Sequence, residues 1–125
     1  MNTHKKLNQI FQSDENKNKL GTLKVKINPK DHNHTERRKQ QRAINETMMN
    51  IALLYGEKDF HCRDIRFTLL DKNLHNTVYA PFIDELRGLR VICKIGLPTP
   101  EIITVYWHNK TKRKVRRSAH QFLNI

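Results

Sequence analysis

The chain has 125 residues, 37% of them hydrophobic, and its 24 Lys and Arg against 12 Asp and Glu give a formal net charge of +12. That length holds one domain with a proper core and is short for two. The charge draws polyanions or an acidic protein partner. No run approaches the length of a membrane span and the first residues show no sustained apolar stretch of a secretory signal, so a cytoplasmic protein is the default expectation.

Residues 1–20, rich in Asn, Lys, Gln and Ser, hold one apolar knot at Leu7, Ile10 and Phe11. The spacing predicts one or two helical turns in a flexible or weakly docked N-terminal arm. After Gly21 the chain reads TLKVKIN, where Leu23, Val25 and Ile27 alternate with Lys24 and Lys26, the signature of a strand with one apolar and one basic face. Pro29 ends it, and Asp31-His32-Asn33 supplies capping residues for a basic helix, HTERRKQQRAI, over 34–44. His34, Arg38 and Arg42 fall at i, i+4 and i+8 and so stack along one face. Before Ala43 and Ile44 this helix has no apolar stripe, so it is held by neighbours, by a ligand, or barely at all.

Asn45 caps the next helix, NETMMNIALLYGE. Its Met48, Met49, Ile51, Ala52, Leu53 and Tyr55 predict a mostly buried element, stopped by Gly56 as a left-handed cap. From Asp59 the pattern is that of sheet. Phe60 and Cys62 share one parity and Ile65, Phe67 and Leu69 the other, which predicts a bulge near Arg63-Asp64 or two short strands. Asp71-Lys72-Asn73 turns the chain, and 74–85, with Pro81, reads as an irregular connection with a short strand at 77–79.

The clearest hairpin comes last. Leu89, Val91, Cys93 and Ile95 alternate with Arg90, Ile92 and Lys94, and beyond GLPTP, Ile103, Val105 and Trp107 alternate with Ile102, Thr104, Tyr106 and His108. One face is core, and the other displays Arg90, Lys94, Tyr106 and His108 together. Residues 110–117, KTKRKVRR, form a basic tail or the start of a final helix. Cys62 and Cys93 lie in apolar runs outside any C-x-x-C, which predicts two reduced, buried thiols.

In this order the pieces carry a resemblance. HTERRKQQRAI, a helix ending LLYGE, a Leu-Arg-Gly-Leu strand entry and ITVYW resemble a family of small bacterial domains of unknown function. Its members read His-Ala-x-x-Arg-x-x-x-Arg-Gly-Ile, an ALENGE-like helix end and Ile-Thr-Val-Tyr, and it stands beside the RelE/ParE and BrnT-type toxins. His34, Arg38, Arg42, Ile44, Gly56, Glu57, Thr104, Val105 and Tyr106 fall on the pattern, over residues 32–110. Ala43 stands where Gly is usual, implying a less abrupt turn between the two helices. The resemblance implies an α+β, RelE-like fold, two consecutive helices packed on a small, mainly antiparallel sheet that ends in a β-hairpin. The domain then spans 21–110, between the arm 1–20 and a basic C-terminal tail 111–125. It also implies a toxin-like endoribonuclease independent of metal and cofactor, acting on RNA free or on the ribosome and neutralised by an acidic antitoxin.

Metal-free RNA cleavage needs a base for the 2′-OH proton, an acid for the leaving 5′-oxygen and cations over the phosphorane. His34 suits either proton role, because an imidazole titrates near neutrality. Arg38 and Arg42 would hold phosphate oxygens in a planar fork. Tyr106 and His108 would complete an acid/base pair if they share the cleft, and Arg37, Arg90, Lys94, Lys110 and Arg113 would line the path of the RNA. The plainer reading is a solvated basic helix whose His merely caps it. A non-catalytic nucleic-acid-binding or partner-binding module, or a subunit docking through 110–117, uses the same basic residues. His32-x-His34 with His61-Cys62 fits no familiar tetrahedral spacing, and Asp31, Glu36, Asp59 and Asp64 form no paired-carboxylate site.

Overall fold

The computed structural model describes residues 2–19, 24–25, 43–94 and 101–108. Helix α1, Thr3–Gln12, opens where the Asn2 carboxamide accepts from the Lys5 amide at 2.8 Å. Against the expected turn or two of loosely attached arm, it runs ten residues, with Leu7 fully buried in the core and Phe11 nearly so. Packing supplies what a polar ten-residue helix lacks alone. Helix α2, Glu46–Tyr55, lies against α1. Thr47 donates to Asn8 at 3.1 Å, and Asn45 meets His4 across 2.8 Å.

Asn45 caps α2 as its sequence predicts, accepting from the Met48 amide at 2.9 Å. Met48, Met49, Ile51, Ala52 and Leu53 are all buried. Gly56 ends the helix differently from expectation, with φ −65° and ψ 154°, in extended backbone. Close approach, not handedness, requires glycine there. A Cβ would stand 2.5 Å from the Ala52 carbonyl oxygen and 3.2 Å from the Thr68 nitrogen.

The strands are β1 (Lys24–Val25), β2 (Glu57–His61), β3 (Asp64–Thr68), β4 (Leu89–Lys94) and β5 (Glu101–Trp107). They form one sheet in the order β1-β5-β4-β3-β2. β2 through β5 make an antiparallel meander, and β1 adds a short parallel pairing to β5, Lys24 against Glu101 and Val25 against Ile102. The parity slip after Cys62 is therefore a turn between two strands rather than a bulge. The helices and this mainly antiparallel sheet, closing with the β4–β5 hairpin, make the α+β arrangement that the sequence predicts.

A bulge does occur, but in the last hairpin. Ile92 pairs with Thr104 while Cys93 pairs with Ile102, so Ile103 is the extra residue. It reverses parity along β5, and Ile102, assigned to the polar face by simple alternation, is fully buried beside Val105.

Between β3 and β4 the chain makes helical turns, α3 (Asp71–Leu74), a 3-10 turn (Ala80–Phe82) and α4 (Ile83–Leu86). No strand forms at 77–79. The Thr77 hydroxyl donates to the Leu74 carbonyl at 2.8 Å and accepts from the Tyr79 amide at 3.1 Å, which folds the backbone into a turn. Arg87 anchors the connection by gripping Asp71 with two hydrogen bonds of 2.7 and 3.1 Å. The cysteines divide. Cys93 is buried, whereas Cys62 is exposed at the β2–β3 turn with φ 55°. Among the described residues no helix is long and apolar enough to cross a membrane.

Candidate functional site

Strand alternation gives the sheet two chemically distinct faces. Leu89, Val91 and Cys93 of β4 are buried on the side where α2 packs. Arg90, Ile92 and Lys94 point the other way, and the registers extend that outer face across its neighbours. One rung reads Glu57, Thr68, Arg90, Tyr106, and the next reads Asp59, Arg66, Ile92, Thr104.

Arg90 is the hub of the first rung. Its Nε donates to the Thr68 hydroxyl at 3.0 Å and its Nη1 to the Tyr106 hydroxyl at 3.4 Å. The guanidinium carbon stands 5.9 Å from the Tyr106 ring centroid, close enough for a cation–π contribution. Tyr106 is directly opposite Arg90 in the ladder, so this contact follows from register. In the second rung Arg66 Nε binds Asp59 at 2.7 Å. That hydrogen bond, set against some desolvation, holds the Arg66 guanidinium more firmly charged, with Tyr106 near enough to add to the effect. Lys94 is exposed at the far end of the same face, opposite Asp64.

Of the ten residues singled out in the sequence, Arg90, Lys94 and Tyr106 therefore share this face. His108 follows Tyr106 one step beyond the Leu89–Trp107 pair, its amide donating to the Gly88 carbonyl at 2.7 Å. His34, Arg37, Arg38, Arg42, Lys110 and Arg113 lie outside the described residues. Arg66 and Thr68 were not singled out, although their alternation with Ile65 and Phe67 already put them on the polar side.

A second polar constellation has no counterpart in the sequence reading. Just past α1, one Asp14 oxygen accepts from both the Tyr55 and the Tyr79 hydroxyls at 2.7 Å, and the other accepts from the Asn16 amide at 2.8 Å. Asn16 also donates to the Tyr55 oxygen at 3.1 Å, and the two rings meet edge to face with centroids 5.5 Å apart. Burial pushes the Asp14 carboxyl up, but the Asn16 amide, the two tyrosines and Lys19 outweigh it, so the carboxyl titrates below its ordinary range. Burial first, then the hydrogen bond to Asp14, pushes the Tyr79 phenol far above its usual value. A cleft of about 360 Å³ opens beside Asp14, Tyr55 and Thr77. Among the described residues no buried side-chain polar atom lacks a partner. The knot thus fastens the end of α1 to α2 and the turn before α4.

The outer face offers a different set of capacities. Two guanidiniums, an ammonium and a phenol on adjacent strands are suited to holding phosphate oxygens and to moving one proton beside them. Comparison with family models, with curated proteins and with solved structures finds no match for this chain.

Proposed function

We propose that the outer face of the sheet binds RNA and that the chain is a toxin-like, metal-independent endoribonuclease. The observation that carries the reading is the Arg90–Tyr106 contact, a phosphate clamp beside a proton donor on a face turned away from the core. In this mechanism Arg90 holds the scissile phosphate, and Lys94 and Arg66 steady the charge that builds on it. Tyr106 donates the proton that the leaving 5′-oxygen requires. His34 takes the 2′-OH proton, with Arg38 and Arg42 as further phosphate ligands, roles proposed from their i, i+4, i+8 spacing and the family resemblance. The net charge of +12 suits both a polyanionic substrate and an acidic antitoxin in the cytoplasm.

Incubating the pure chain with RNA in EDTA tests the reading. The expected products carry 2′,3′-cyclic phosphates, and their yield falls when Tyr106 is replaced by Phe. RNA left intact both with and without ribosomes overturns it. A binding module without catalysis is the second reading, favoured by the way Thr68 and Asp59 tie down the two guanidiniums. It predicts salt-sensitive RNA binding that Tyr106→Phe leaves in place, with no cleavage.

A further inference from the structure

β2 ends the sheet, and no described strand pairs with its outer side. In a hairpin closed by a two-residue turn, the last pair exchanges both backbone hydrogen bonds and the pairs alternate from there. His61 and Asp64 are that pair. Residues 57, 59 and 61 therefore direct their amides and carbonyls toward β3, and Lys58 and Phe60 direct theirs outward. Phe60 is 67% exposed, and the Lys58 ammonium stands 5.6 Å from its ring centroid.

Charge ordinarily blunts such an edge, lysine above all, and two chains of +12 repel one another. Around this edge, however, the charge cancels. Over 57–72, Lys58, Arg63, Arg66 and Lys72 balance Glu57, Asp59, Asp64 and Asp71. Three of the acids are already neutralised locally, Asp59 by Arg66 at 2.7 Å, Glu57 by Lys72 at 2.9 Å and Asp71 by Arg87, from outside this span, at 2.7 Å.

We infer that β2 pairs antiparallel with β2 of a second copy of this chain, about a two-fold axis through Asp59. This register sets each Lys58 opposite Phe60 of the other copy, so the outward amides and carbonyls of both strands satisfy one another. Each ammonium then lies beside the ring of the other copy, and the exposed phenylalanines are covered. The two Asp59 side chains face one another, each with its own Arg66. The axis is perpendicular to the sheet, so the outer faces of both copies lie on one side. A junction of this size is small, and the association is correspondingly weak. Its dependence on salt is inverted relative to nucleic-acid binding, because screening removes the repulsion between two basic bodies.

Sedimentation of the whole chain from dilute to millimolar concentration, at low and high salt, is the test. The expected result is a reversible dimer that strengthens as salt rises. Phe60→Pro removes an outward donor without breaking a bond to β3, and is expected to weaken the dimer by at least about tenfold with unchanged circular dichroism. Asp59→Cys in a Cys62→Ser background is expected to cross-link under mild oxidation, since facing residues of such a pair are within disulfide reach. The native Cys62, set opposite position 56 of the other copy, is expected not to. A monomer under every condition, a dimer that salt dissolves, or one indifferent to Phe60→Pro overturns the proposal. Should Phe60→Pro disturb the hairpin, an Asp59→Cys dimer that fails to cross-link overturns it independently.

Discussion

Tyr79 is fully buried and donates to Asp14 at 2.7 Å, whereas Tyr106 is half-buried and accepts from Arg90 across a longer 3.4 Å. Both pair a phenol with a charge, yet the surroundings separate their roles. Around Asp14 two tyrosine hydroxyls and the Asn16 backbone amide converge, so each hydroxyl has one short, fixed acceptor. Around Arg90 the partners are two neutral hydroxyls and an aromatic face, which leaves a five-donor guanidinium with hydrogen-bonding capacity for an anion. Burial turns the first arrangement into a fastening, and partial exposure leaves the second able to act on something else.

The largest effect expected of that contrast is on stability. Asp14→Ala strands two tyrosine hydroxyls and is expected to cost about 3 kcal/mol in urea denaturation. A variant with an unchanged midpoint would show that the knot holds nothing together. Next comes activity. Tyr106→Phe is expected to lower RNA cleavage by about 100-fold while shifting stability by less than about 1 kcal/mol. If both fall together, the two tyrosines do not differ in kind.

Tyr79→Phe is a smaller perturbation, expected to cost about 1 to 2 kcal/mol and to leave cleavage per folded molecule unchanged. The pH dependence is smaller again and has a definite sign. Because the folded Asp14 carboxyl titrates below its ordinary value, its stabilisation is complete above that value and drains away as pH falls through the lowered one. Tyr79 works in the opposite direction, its raised value giving a loss only as pH climbs beyond the usual tyrosine range. Urea midpoints for the wild type and Asp14→Asn should converge in acid and separate at neutrality.

Much of the sheet was legible because alternation is local. Leu89, Val91 and Cys93 announce the buried face of β4, and Arg90 and Tyr106 share the other because cross-strand partners must. The bulge at Ile103 escaped, since nothing in ITVYW marks where an extra residue enters. The Asp14 knot escaped for a different reason. Residues 41 and 65 positions apart meet there, and only tertiary packing brings them together. Leu7 shows the same limit, because its three-residue apolar knot is too short to reveal how deeply α1 would be held. The proposed His34-Arg38-Arg42 ridge falls outside the described residues.

The two cysteines, so alike in sequence, give the experimenter a convenience. Cys93 is sealed in the core, where burial pushes its thiol up to about 11, while Cys62 stands exposed at the tip of a two-residue turn. At neutral pH a maleimide dye should therefore attach at one place in the unmodified chain. The fluorophore would ride on the β2–β3 tip, ready to report anything that comes to rest along that margin.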